Sequence, residues 1–138
     1  MSDLVPSPDV TFLRAVDELV TARGNRDALG IRQSAEKAWL AVVEATDLYL
    51  LKNHGIRVDG DERAHQQRRR YLRQLDRGDL ESAYVLLSQK LHGDIFYLGE
   101  PLSPAELRRF FLEAAEFVER ATGEGGLADA VLRRVPST

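Results

Sequence analysis

Between Ile31 and Leu51 the chain reads IRQSAEKAWLAVVEATDLYLL, and this stretch constrains the fold more than any other. Ile31, Ala35, Ala38, Trp39, Val42, Thr46 and Tyr49 recur at steps of three and four, the spacing that gathers side chains on one face of an α-helix. A peripheral helix would be polar opposite that face, yet Leu40 and Leu51 stand there among Gln33, Glu44 and Asp47. A helix apolar around most of its circumference is covered on more than one side. The spacing therefore predicts the central helix of a bundle, starting a few residues before Ile31 and ending at the glycine cap of Asn53-His54-Gly55.

The flanking segments punctuate in the same manner. Ser7-Pro8 reads as an N-cap followed by proline at the first helical position, and Val10, Phe12, Leu13, Val16, Leu19 and Val20 form a stripe that ends near Arg23-Gly24-Asn25. After a short loop, Asp61 caps a third helix from Glu62 to Asp76, and Arg77-Gly78 closes it. Asp79 caps a fourth, with Leu80, Tyr84, Leu87, Leu91, Ile95 and Leu98 along one side; Gly93 inside it marks a kink or a close helix approach, since glycine there is worse than alanine by roughly 1 kcal/mol. Ser103-Pro104-Ala105-Glu106 is both a capping box and a proline start, and Leu107, Phe110, Phe111, Ala114, Phe117, Val118 and Ala121 follow as a buried stripe. No segment alternates long enough to be a strand. The expected fold is all-α, an antiparallel up-and-down bundle of four or five helices over residues 7–122. Residues 1–6 are expected to be a flexible N-terminus, and residues 123–138 a tail carrying a short helix from Leu127 to Arg134.

Composition excludes several functions. A chain of 138 residues accommodates one domain with a real core. Cysteine is absent, which removes disulfides, thiolate nucleophiles and thiolate metal sites together. A net charge of −3 argues against a protein built wholly around phosphate contacts. No apolar run reaches the roughly 20 residues of a membrane-spanning helix, and MSDLVPSPDV has neither a basic segment nor an apolar signal core, so the expected location is cytoplasmic.

Charge is concentrated in DERAHQQRRRYLRQLDRG. Arg63, Arg70 and Arg77 are seven apart on one stripe with Arg73 close by, while Arg68 falls nearer the buried side, one turn from His65 and Leu72. Clustered guanidinium groups suit phosphate or carboxylate because the planar fork binds oxyanions in pairs; the plainer reading is a solvated charged face. Of the three histidines, His54 sits at a helix end, where a cation suits the dipole. His65 has Arg68 and Arg69 one turn away, and their charges favour neutral imidazole. His92 shares a shoulder with Val85, Ser88 and Phe96, the position of a core or interface histidine. No two histidines have ligand spacing, no HExxH and no carboxylate–histidine pair stands out, and no P-loop, GxGxxG or GxSxG motif is present, so no metal, cofactor or catalytic residue is assigned. Trp39, with Glu36 and Lys37, makes the word AEKAW: a core indole whose N–H needs a partner, beside two residues that either close a pocket or face water.

Taken in order, RQSAEKAWLAVVEA, DERAHQQRRRYL and LSQKLHGDIFYLGEPLSPAEL resemble the PaREP proteins, small prokaryotic helical proteins within or close to the HEPN superfamily. The likeness runs from about Leu19 to Ala121. It implies a HEPN-like bundle, commonly a homodimer. Members of the wider superfamily act as RNA-cleaving toxins, as nucleotide-binding modules, or as partners of small nucleotidyltransferases. The ribonuclease members carry arginine, four to six residues, then histidine. Here Arg57 and His65 enclose seven residues, and Arg63 stands too close to His65.

The leading expectation is thus a non-catalytic HEPN-type binding module for a phosphate-bearing ligand (a nucleotide or RNA) or for a nucleotidyltransferase-type partner. Its pocket would be walled by the central and third helices. His65, Arg68 and Arg69 would hold the anion, Trp39 would offer a stacking wall, Glu36 and Lys37 would tune the rim, and His92 with Tyr97 would line it from the fourth helix. The alternatives are an RNA-cleaving toxin with His65 as base, and a structural adaptor using Leu40, Leu51 and the aromatic residues as contacts.

Overall fold

The computed structural model describes residues 7–60 and 63–138; the expectations for residues 1–6 and for Asp61 and Glu62 at the start of the third helix lie outside the described residues. Among the described residues all regular structure is helical and there is no strand. The helices are α1 (Pro8–Gly24), α2 (Ala28–His54), α3 (Ala64–Gln74), α4 (Gly78–Leu87), a π-helical continuation of α4 (Ser88–Tyr97), α5 (Pro104–Thr122) and α6 (Leu127–Arg134). None of them is long and apolar enough to cross a membrane.

The local chemistry explains most boundaries. Asp27 starts α2 by accepting from the Gly30 N–H at 3.0 Å, and Gly55 ends it in the left-handed conformation. Ser103 and Glu106 form the expected reciprocal capping box on α5, with Pro104 at the first position. Pro8 likewise opens α1, but Ser7 makes no capping bond; its hydroxyl donates to Asp9 Oδ1 at 2.6 Å instead.

α2 is the central helix, packed against α1, α5 and the π segment. Around it Phe12, Val16 and Leu19 of α1, Val42 and Leu50 of α2, Leu87 of α4, Leu91 of the π segment, and Phe111, Phe117 and Val118 of α5 are buried in one core. α6 joins that core through Leu127 and Val131, with Val135 just after it, so the compact unit extends past residue 122. The circumferential cover expected of α2 is incomplete: Leu40 is 47% exposed and Leu51 41%.

The largest departure from the sequence reading lies after Leu87. The spacing predicts a helix to Leu98 with a kink or a close helix approach at Gly93; instead the backbone widens from Ser88 to i→i+5 bonding, as in Leu98 N–H to Gly93 C=O at 3.0 Å. The burial pattern follows the wider turn. Leu87, Leu91 and Ile95 are buried at steps of four, and Leu98, three residues beyond Ile95, is turned out to 75% exposure. The third helix is also shorter than expected. It ends at Gln74, and Arg77 lies outside it, next to the start of α4.

Candidate functional site

One stripe of α2, Arg32, Glu36, Trp39, Val43 and Asp47 at steps of four, three, four and four, carries the side chains around which the site is built. Trp39 is nearly fully buried, and three rings pack on its indole. These are Tyr84 at 4.9 Å between centroids, His65 at 5.8 Å and His92 at 6.2 Å, from α4, α3 and the π segment.

Below the indole, α3 is fastened by a chain of hydrogen bonds. Arg68 is only 6% exposed, and its Nε and one Nη donate to Asp47 Oδ1 and Oδ2 at 2.7 and 3.0 Å. Its other Nη donates to Tyr84 Oη at 3.3 Å and lies 3.3 Å from His65 Nδ1, while Tyr84 Oη and His65 Nδ1 are 2.6 Å apart. Arginine has donors only, so the Arg68 Nη that faces both groups calls for an acceptor at His65 Nδ1 as well as at Tyr84 Oη, and Tyr84 then donates its proton to Nδ1. That nitrogen is therefore unprotonated, and the ring's proton sits on Nε2. His65 is exposed as a residue, but its ring is partly buried against Trp39 and Tyr84. That burial, followed by the positive charge of Arg68 and the neighbouring His92, lowers its pKa from 6.5, with Asp47 opposing. Burial also raises the Tyr84 phenol, so its proton is retained. For Arg68, burial alone would lower the pKa; the Asp47 hydrogen bonds and Tyr84 reverse the sign.

Above the indole, His92 Nδ1 lies 2.7 and 3.0 Å from the two Glu36 carboxylate oxygens. A carboxylate only accepts, so Nδ1 carries a proton and Nε2 is left as the polar atom that makes no hydrogen bond among the described residues. Phe96 stacks on the His92 ring at 6.1 Å and Tyr97 meets it edge-on at 4.9 Å. Arg32 holds this end in place, donating to the Phe96 carbonyl at 2.7 and 2.9 Å and to the Tyr97 carbonyl at 3.0 Å. Gly99, at φ +62°, lets the chain turn over that guanidinium; a Cβ there would lie 3.2 Å from the guanidinium carbon. Beside the indole an open hollow of about 430 Å³ is lined by Gln33, Glu36, Lys37, Trp39, Leu40, Val43 and His92.

The structure thus brings Trp39, Glu36, His65, Arg68, His92 and Tyr97 into one connected cluster. Lys37 borders the hollow, but its ammonium group is paired with Glu18 of α1 at 2.8 Å. Arg69 is exposed and makes no ion pair among the described residues, although its charge is felt at Tyr84 and Glu81. The expected wall from the third helix is a correction: the hollow lies between α2 and the π segment, and α3 contributes no residue to its lining. The arginine stripe also divides. Arg68 is engaged by Asp47, Arg73 by Glu81 and Arg77 by Asp79, each charge largely offset in place. Among the described residues no group of three or more His, Asp and Glu side chains could hold a metal ion.

Two members, Asp47 and Tyr84, and one pairing, between the expected residues Glu36 and His92, are not legible in the sequence. Asp47 passed as a surface carboxylate, Tyr84 as an ordinary core ring, and the Glu36–His92 pair is invisible because its partners are far apart in sequence. Two signals were present: a buried tyrosine needs a partner for its hydroxyl, and an arginine on the inner side of a helix needs an acid. No family model, curated protein or solved structure matches the chain.

Proposed function

We propose that this chain is a HEPN-like helical module, of PaREP type, that binds a phosphate-bearing ligand (a nucleotide or a short RNA) at the hollow beside Trp39. The supporting observation is the seating of two imidazoles on one indole, His92 lining that hollow and His65 on the other side of the ring system, each with Nδ1 engaged and Nε2 unengaged. His65, an Nε2–H donor, and the exposed Arg69 lie outside the hollow's lining and would favour phosphate oxygens of a ligand that extends beyond it towards α3. Leu40 and Val43 give the base an apolar seat against the indole edge. In this reading Arg68 positions His65 and does not itself hold the anion. Leu40, Tyr97 and Leu98 are exposed apolar side chains on which a second copy would pack to give a homodimer, or on which a nucleotidyltransferase-type partner would dock, with a cytoplasmic setting in either case.

Trp39 is the sole tryptophan, so its emission reports on this site alone. Titration with nucleotides and a short RNA should quench or shift it saturably and raise the melting temperature, with inorganic phosphate weaker. Unchanged emission and melting across that panel, with a folded sample, overturns the reading. The Glu36–His92 pair favours one second reading, RNA cleavage with His92 Nε2 as general base in place of His65. RNA degradation lost in His92→Gln and retained in His54→Gln would establish it; intact RNA between pH 5 and 8 would remove it.

A further inference from the structure

α3 is attached unevenly. Its C-terminal half is anchored by Leu72, fully buried, with Tyr71 and Leu75 packed on the core. Its N-terminal half buries only Ala64 and Arg68, and is preceded by a stretch, residues 55–60, without regular structure. What fastens that half is polar: Arg68 to Asp47, Arg68 to Tyr84, and Tyr84 to His65. The last link runs from Tyr84 to an unprotonated Nδ1, because Nδ1 also faces the Arg68 Nη at 3.3 Å, which can only donate.

We propose that the first turns of α3, Ala64 to Arg68, form a latch over Tyr84 and Trp39 that opens when His65 takes up a second proton. This does not depend on any ligand. Nε2 is already protonated, so the incoming proton must go to Nδ1. There it forces the Tyr84 hydroxyl to turn its own proton away, removes the acceptor that faced Arg68, and places an imidazolium 3.3 Å from the Arg68 guanidinium. The groups that face His65 are Arg68 on its own helix, Asp47 on α2, Tyr84 on α4 and His92 on the π segment, with Glu36 behind His92. Asp47 attracts the new cation, but both of its oxygens are already held by Arg68. Opening hinges at Leu72 and leaves the core of α1, α2, α5 and α6 closed.

The sign follows from linkage. The latched state holds the His65 pKa below 6.5, so it binds fewer protons than the opened state. The latch is fully stable above pH 6.5 and loosens as the pH falls below it, down to the lowered value, by up to about tenfold in opening per pH unit.

Hydrogen exchange on the wild-type chain at pH 8 and pH 5.5, corrected for intrinsic rates, tests this. Protection of the amides at 67–70, which bond back to the first turn of α3, should drop by up to about tenfold while α2 and α5 hold theirs, and Trp39 emission should move to the red. In His65→Gln the amide oxygen accepts from the same donors without titrating, so both changes should vanish, whereas His92→Gln should keep them. Unchanged wild-type protection, or a transition that survives in His65→Gln, overturns the proposal. Should His65→Gln fail to fold, the imidazole nitrogen shifts of the wild-type protein decide: an Nε2–H tautomer at pH 8 supports the latch, and an Nδ1–H tautomer overturns it.

Discussion

α3 and α5 are both solvent-facing helices of one bundle, yet they are held by opposite means. α5 buries eight apolar side chains, among them Phe110, Phe111, Phe117 and Val118. α3 buries three residues, and the largest of them is an arginine. Apolar burial is non-directional and titrates with nothing, so α5 is fixed at any pH at which the chain folds. A polar attachment such as that of α3 holds only while every donor meets an acceptor, and one extra proton can spoil it. The difference separates a structural helix from one that can move.

Substitutions in the two helices sharpen the contrast. Phe111→Ala should lower global stability by about 3–5 kcal/mol in urea unfolding, with every helix losing protection together; a loss restricted to α5 would break the contrast. Arg68→Met removes the pair to Asp47, whose side chain is 40% exposed and finds water, so the loss should be smaller, about 1–3 kcal/mol, and confined to hydrogen exchange in α3. If Arg68→Met instead unfolds the whole molecule, α3 belongs to the core and the comparison fails. Ser103→Ala should lower stability by about 1 kcal/mol through the lost cap on α5, read as a fall in the melting temperature without change in α3 exchange. Arg73→Ala, which opens the exposed pair to Glu81, should leave the melting temperature unmoved within error.

The same contrast explains what could be read from residues alone. The apolar stripe of α5 and its capping box are local patterns, and both are found where spacing puts them. The central place of α2 follows equally from local periodicity. The attachments of α3 and His92 are not local. Asp47 meets Arg68, and Glu36 meets His92, only once the rotation of each helix about its own axis is set, and the π segment resets that rotation after Leu87. The run Leu87, Leu91, Ile95 at steps of four suits an α-helical face as well as a wider turn, so the residues alone carry no signal of the π segment. His65 and Trp39 were expected to converge and do so; the hollow opens on the other neighbour of the indole, His92.

Arg32 and Glu36 stand one helical turn apart, and each grips a different part of the same strand of chain: one its terminal carbonyls, the other its imidazole. The orientation of His92 is thereby triangulated from two fixed points on a single rod. Shortening the first of those points, as in Arg32→Ala, would leave the ring free to swing on the second without altering any atom that borders the cavity, a disturbance delivered from a distance by geometry alone.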